Sequence, residues 1–222
     1  MFEKLMNLPL LQGISHDTLA TLVEKYPFHF LKYKKGETII EPGEACTHLK
    51  FVVSGGVNIT LENPELKVCV SQYLPAPEVI TPDHLFGRST VYPCKVVAEN
   101  DCGILQIPKA VYVKMIQNEE VLLFNILNYL SRNSQNRLWT FSSKSGVKFS
   151  TRLAILVCEL TTKKSENISV SFKQKDLCML LGIRRTSLIH ALEELREKQI
   201  IDYNQNEIIV IDRRGLLEII HH

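Results

Sequence analysis

The chain has 222 residues, 45% hydrophobic and 23% charged, which suffices for one or two self-supporting domains. A net charge of +2 is too small to argue for a polyanionic partner. No apolar run approaches the roughly 20 residues of a membrane span, and the start Met1-Phe2-Glu3-Lys4-Leu5 is no signal peptide. Six cysteines (Cys46, Cys69, Cys94, Cys102, Cys158, Cys178) lie scattered without a CxxC pair, which reads as reduced thiols of a cytoplasmic protein and not as a disulfide framework.

Residues 3–25 read as helix, with Asp17, Leu19, Leu22 and Val23 in its second part. Proline then marks a boundary: all nine prolines lie at or before Pro108, and six of ten glycines fall between Gly36 and Gly103. Residues 27–107 therefore read as short strands between turns: Glu37–Ile40, Leu49–Val53, Val57–Leu61, Lys67–Tyr73, Lys95–Ala98 and Gly103–Ile107. Short strands with regular turns suggest a sandwich or a barrel-like roll. From Lys109 the apolar period becomes helical and holds to about Ser142, with an interruption expected near Gln117-Asn118.

Within the last helical stretch, Leu123, Leu127, Leu130, Leu138 and Phe141 fall near a 3,4 spacing, with Ser134 as the weak link. Such a seam suits dimerisation through a coiled coil; the competing reading packs it on the chain's own β-roll. Residues 142–146 (Ser-Ser-Lys-Ser-Gly) read as a hinge.

The segment from Ser171 to Asp212 carries the strongest signal. Ser171 with Gln174 reads as a capping-box start, after which Leu177, Cys178 and Leu181 recur at helical spacing up to a sharp turn at Gly182. A second helix places Leu188, Ala191, Leu192 and Leu195 on one face, leaving Arg184, Arg185, Thr186, Ser187 and His190 on the exposed side near its start. A buried stripe that fixes a helix whose first turn offers hydrogen-bonding groups is what reading a DNA major groove requires. Lys173 and Gln174 add donors at the start of the preceding helix. Ile200 to Ile211 alternates around Asn204-Gln205-Asn206 and reads as a wing hairpin. Residues 146–222 carry 12 Lys/Arg against 10 Asp/Glu and the remainder 14 against 14, so the positive excess lies in this segment.

A β-roll, a long helix, a hinge and a winged helix-turn-helix resemble the catabolite activator (CRP/FNR) family of transcription regulators over nearly the whole chain. In the first half the resemblance rests on Tyr33-Lys34-Lys35-Gly36-Glu37, Gly43-Glu44 and the run Phe51 to Val57 with its paired Gly55-Gly56. In the second half it rests on Gly182 to His190, over the family's recognition-helix motif. The family commonly reads bases there with an arginine, an acidic residue and a second arginine. Arg185 keeps the first, while Thr186 and His190 replace the others, which implies a different target sequence.

The effector site departs from the pattern. The family's cyclic-nucleotide cassette has Phe-Gly-Glu followed by Arg-Ser or Arg-Thr. Here Phe86-Gly87 is followed by Arg88, then by Ser89 and Thr90 without an Arg-Ser pair, and Arg137-Leu138 stands where the long helix would meet the base. Cyclic AMP is therefore not expected, although Gly87, Arg88, Ser89, Thr90 and Arg137 remain candidates for a small anionic effector. The iron–sulfur sensors of the family need several N-terminal cysteines, and residues 1–45 contain none. No metal site and no cofactor are assigned; Cys94 or His84 as a haem axial ligand stays an open alternative.

The expected fold is α+β: an N-terminal double-stranded β-roll of the cyclic-nucleotide-binding type with a helix before it (1–118), a long dimerisation helix (119–142), and a C-terminal winged helix-turn-helix (147–222). The implied function is that of a homodimeric transcription regulator, not an enzyme, with double-stranded DNA and RNA polymerase as partners. Two alternatives come from other classes. A metal-dependent β-roll enzyme usually shows two nearby histidines on a strand, and His48 and His84 are each alone. A nucleotide-sensing module that binds only protein has no need of the wing or of the donor-rich helix start.

Overall fold

The computed structural model describes residues 2–65, 67–142 and 148–221. The chain divides into two compact units, Met1–Asn58 with Leu74–Gln135, and Ile59–Tyr73 with Asn136–His222. Among the described residues no helix is long and apolar enough to cross a membrane.

The first unit opens with two helices, α1 (Phe2–Met6) and α2 (His16–Lys25), where the sequence suggests one. Pro9, the left-handed backbone of Leu10 (φ 69°) and Gly13 (φ 80°) separate them. The intervening segment is still ordered by burial of Leu8, Leu11 and Ile14. Ser15 caps α2 by accepting from Thr18 N at 3.1 Å.

Eight strands follow: β1 (His29–Tyr33), β2 (Thr38–Ile40), β3 (His48–Ser54), β4 (Gly56–Asn63), β5 (Val68–Pro75), β6 (Glu78–Ile80), β7 (Cys94–Ala98) and β8 (Cys102–Pro108). One sheet runs β1-β8-β3-β6; the roll strands of the other run β5-β4-β7-β2. Alternating burial in β5, β7 and β8 is the period-2 signature of strands with one face on a core. Between β3 and β4, Gly55 is obligatory. Its φ is 71°, and a Cβ there would lie 2.5 Å from Asn100 Oδ1 and 2.6 Å from the Asp101 carbonyl.

Helices α3 (Lys109–Asn118) and α4 (Glu120–Ser142) are separated at Glu119, whose backbone is extended (φ −125°, ψ 100°). Leu122 and Ile126 bury one face of α4, and the Asn125 amide donates to the carbonyls of Leu10 and Gln12. Another face is left open: Leu123, Phe124 and Leu127 are exposed, Phe124 by 60%.

The second unit comprises α5 (Phe149–Glu159), β9 (Glu166–Ser171), α6 (Gln174–Leu181), α7 (Arg185–Glu197), β10 (Ile201–Tyr203), β11 (Glu207–Val210) and α8 (Arg213–His221), together with the β4–β5 hairpin tip. Its sheet runs β10-β11-β9-β5, so β9 pairs on one side with the wing strand β11 and on the other with β5. Ser171, expected as the capping-box residue of α6, instead ends β9, paired with Glu207 and Cys69. The N-cap of α6 is Lys173, which makes no side-chain cap bond.

Leu153, Val157, Leu177, Leu188, Leu192, Leu195, Ile201, Ile208 and Leu216 share one core. Each fully buried aliphatic side chain contributes about 1.5–3 kcal/mol, so α6 and α7 are held by their apolar faces and not by their caps.

Candidate nucleic-acid interface

α6 ends at Gly182, whose left-handed backbone (φ 65°) lets its N–H reach back to the carbonyls of Cys178 and Met179. Nothing lies within 4 Å of the site a Cβ would take, so the turn demands glycine for its backbone angle and not for space. Ile183 N then donates to the Cys178 carbonyl at 3.0 Å, and Arg184, in extended conformation, becomes the N-cap of α7.

The stripe Leu188, Ala191, Leu192 and Leu195 is buried, which turns Arg184, Arg185, Thr186 and His190 to solvent, with Ser187 half-buried. Lys173 is exposed and Gln174 half-buried. Lys173, Gln174, Arg184 and Arg185 line one concave face enclosing about 760 Å³, together with Lys175, Met179, Gln205 and Asn206. Thr186, Ser187 and His190 do not line it. Across that face, Arg185 Nε donates to Gln174 Oε1 at 3.0 Å.

Both helices open on a cation without a side-chain cap. Positive charge at a helix N-terminus opposes the macrodipole; Asp176 in the first turn of α6 offsets it in part, whereas the first turn of α7 holds no acidic residue, and neither N-cap side chain accepts from the first-turn amides. An incoming phosphate satisfies both demands at once.

Lys175, Met179, Gln205 and Asn206 were not among the sequence candidates. The wing tip is fixed by Asn206 N donating to Asn204 Oδ1 at 2.8 Å, Asn204 N to the Glu207 carbonyl at 2.9 Å, and Phe172 N to the Asn206 carbonyl at 2.8 Å. This last bond brings the turn beside the start of α6. The available signal was the alternation Ile168, Val170, Phe172, which marks β9 as the wing's partner.

In the first unit, Gly87 (φ 93°), Arg88 and Ser89 are exposed and Thr90 is half-buried, on a segment with no helix between the short 3₁₀ turn Pro82–His84 and Val91. The Thr90 carbonyl accepts from Cys46 N at 2.8 Å. The side chain of Arg137, like those of Leu138 and Phe141, lies outside the described residues, as do residues 143–146 of the expected hinge. Tyr92 is 1% exposed and donates its hydroxyl to the His48 carbonyl at 3.0 Å. The buried Lys50 reaches Glu44 Oε1 at 3.9 Å, the Ile39 carbonyl at 3.5 Å and the Tyr92 ring face at 5.6 Å. Cys94 is buried, and burial pushes its thiol up to about 11. His84 is half-buried. Among the described residues no group of three or more His, Cys, Asp and Glu is arranged to hold a metal ion.

Residues 30–119 match the model of the cyclic nucleotide-binding domain, and residues 151–219 that of the Crp-like helix-turn-helix domain. The cAMP-activated global transcriptional regulator CRP of Haemophilus influenzae is 23% identical over 192 residues, covering 84% of this chain and 85% of that protein. The HTH-type transcriptional regulator ArcR of Staphylococcus epidermidis is 24% identical over 185 residues, 80% of each chain. The catabolite activator protein of Thermus thermophilus shares the fold at a TM-score of 0.53 and 18% identity, over 96% of this chain and 98% of that one.

Proposed function

Since the chain belongs to the catabolite activator (CRP/FNR) family of DNA-binding transcription regulators, we propose that it acts as a homodimer reading a pseudo-palindromic site under a β-roll sensor that does not take cyclic AMP. In this reading residues 1–118 form the sensor, 119–142 the dimerisation helix and 147–222 the DNA-binding domain. It works in the cytoplasm, recruits or blocks RNA polymerase, and catalyses no reaction.

The observation that carries the reading is the exposed start of α7. A buried leucine stripe holds the helix, and Arg185 stands out from its first turn beside Lys173, Gln174 and the wing. In a dimer, two such helices enter major grooves about 34 Å apart. Arg185 donates to O6 and N7 of a guanine, a pattern no other base presents in that groove. Thr186, Ser187 and His190 flank it along the groove; Lys173, Arg184 and the first-turn amides hold phosphates.

Dimerisation is supported by the open apolar face of α4, where Leu123, Phe124 and Leu127 are exposed and Leu130 is half-buried; Leu138 and Phe141 would continue the seam. Against cyclic AMP stand Arg88 where the cassette has its glutamate, and Ser89-Thr90-Val91 after it, which hold no Arg-Ser or Arg-Thr pair. Gly87 to Thr90 with Arg137 stay the candidates for a small anionic effector.

The test is quantitative binding to a site selected from random DNA and to its single-base variants. Arg185→Ala should cost about 1–3 kcal/mol per half-site and relax discrimination at one base pair. Full discrimination at every position in that variant would remove α7 as the reader.

A further inference from the structure

We infer that Gln174 is a positioning residue for Arg185, so that the two read one base pair as a unit; this rests on α7 being the DNA-reading helix. Gln174 is the first residue of α6 and Arg185 the first of α7, and the turn at Gly182 brings their side chains together, with Nε 3.0 Å from Oε1.

The chemistry fixes both ends of this bond. Arginine has donors and no acceptor, so the carboxamide must turn its oxygen toward Nε, which directs its own NH₂ elsewhere. The guanidinium has two edges able to donate in pairs, one made by Nε with an Nη and one by both Nη atoms. With Nε occupied, the edge made by both Nη atoms is left for the N7 and O6 of a guanine. An arginine already tethered in the free protein also loses less rotamer freedom when it meets the base.

The pair does not hold the fold together. Arg185 is exposed and Gln174 only half-buried, whereas Leu177 and Leu188, nearby on the same helices, are fully buried and supply the packing. Removing the bond should therefore change reading and leave stability alone.

The experiment compares Gln174→Met (similar length, no acceptor), Gln174→Glu (acceptor kept), Arg185→Ala and the Gln174→Met/Arg185→Ala double variant. Each is bound at fixed salt to the selected site and its single-base variants, with melting recorded. Gln174→Met should lose roughly 3- to 10-fold discrimination, about the worth of one hydrogen bond. The loss should fall at the base pair that Arg185 governs and nowhere else, with melting unchanged. Gln174→Glu should keep that discrimination while binding every sequence more weakly, because it adds a negative charge near phosphates. In the Arg185→Ala background Gln174→Met should change that discrimination by less than about twofold, the signature of coupled residues. Equal loss on all sequences, loss at a different base pair, or independent losses in the double variant would overturn the inference while leaving Arg185 as reader. If Arg185→Ala alone keeps full discrimination, the reading of α7 falls and the inference with it.

Discussion

Gln72, on the β4–β5 hairpin, accepts a hydrogen bond from Thr162 N at 2.9 Å, although 90 residues of chain separate them. Ser165 Oγ donates to the same carboxamide oxygen, and Gln72 Nε2 donates to the Leu160 carbonyl at 3.4 Å. Gln72 is 4% exposed, so a polar side chain in the dry part of the unit has every partner drawn from the loop between α5 and β9. This cluster, with the β5–β9 pairing, makes the hairpin part of the second unit.

Gln72→Leu should therefore destabilise the protein by about 1–3 kcal/mol, because the buried Ser165 hydroxyl loses its acceptor and the half-buried Leu160 carbonyl its donor, while the Thr162 amide keeps only Ser165 Oγ at 3.2 Å. Denaturant unfolding measures it, and hydrogen exchange should quicken first at Cys69–Tyr73. An unchanged midpoint would contradict the assignment.

Lys173→Ser and Arg184→Ser should each stabilise the fold by about 0.5–2 kcal/mol, since both positions have extended N-cap geometry and no capping side chain. Both should weaken DNA binding on all sequences alike and reduce the salt slope by about 1 per lost phosphate contact. Melting curves beside a salt titration of binding separate the two effects. Stabilisation without loss of affinity would remove these residues from the phosphate contacts.

Leu127→Asp should yield monomers, because it sets a charge on the exposed apolar face of α4 beside Leu123 and Phe124. Phe124→Ser should weaken the dimer in the same direction. Sedimentation at micromolar concentration checks both, and a native protein that already sediments as a monomer refutes the seam.

Cyclic AMP at millimolar concentration should leave melting temperature and DNA affinity unchanged. Calorimetry showing a saturable signal would mean that Arg88 and the segment after it meet the nucleotide in some other way.

Much of this was legible in the residues. Gly55-Gly56, the proline boundary at Pro108 and the Leu188-Ala191-Leu192-Leu195 stripe each act through local geometry, and local geometry is what periodicity and turn chemistry report. Strands β1, β6 and β9 were not read. β6 is three residues long, and β1 is mostly exposed, so neither has an alternating pattern to betray it. Ser171 shows the limit from the other side: its spacing to Gln174 fits a capping box, yet strand pairing on two flanks claims its backbone. The groove residues Gln205 and Asn206 read from sequence as a turn and not as part of the site, because the long-range pairing of β11 with β9 and the bond from Phe172 N to the Asn206 carbonyl bring that turn beside α6.

The place of β5 in the sheet bears on how the DNA-binding half can be handled alone. A fragment starting near residue 148 would contain α5 through α8 but would leave one side of β9 without its neighbour. An open strand edge pairs readily with another chain, so such a fragment should self-associate through β9 where the full chain does not. The contiguous C-terminal stretch thus lacks one strand of its sheet, and supplying residues 59–73 in trans should restore its solubility.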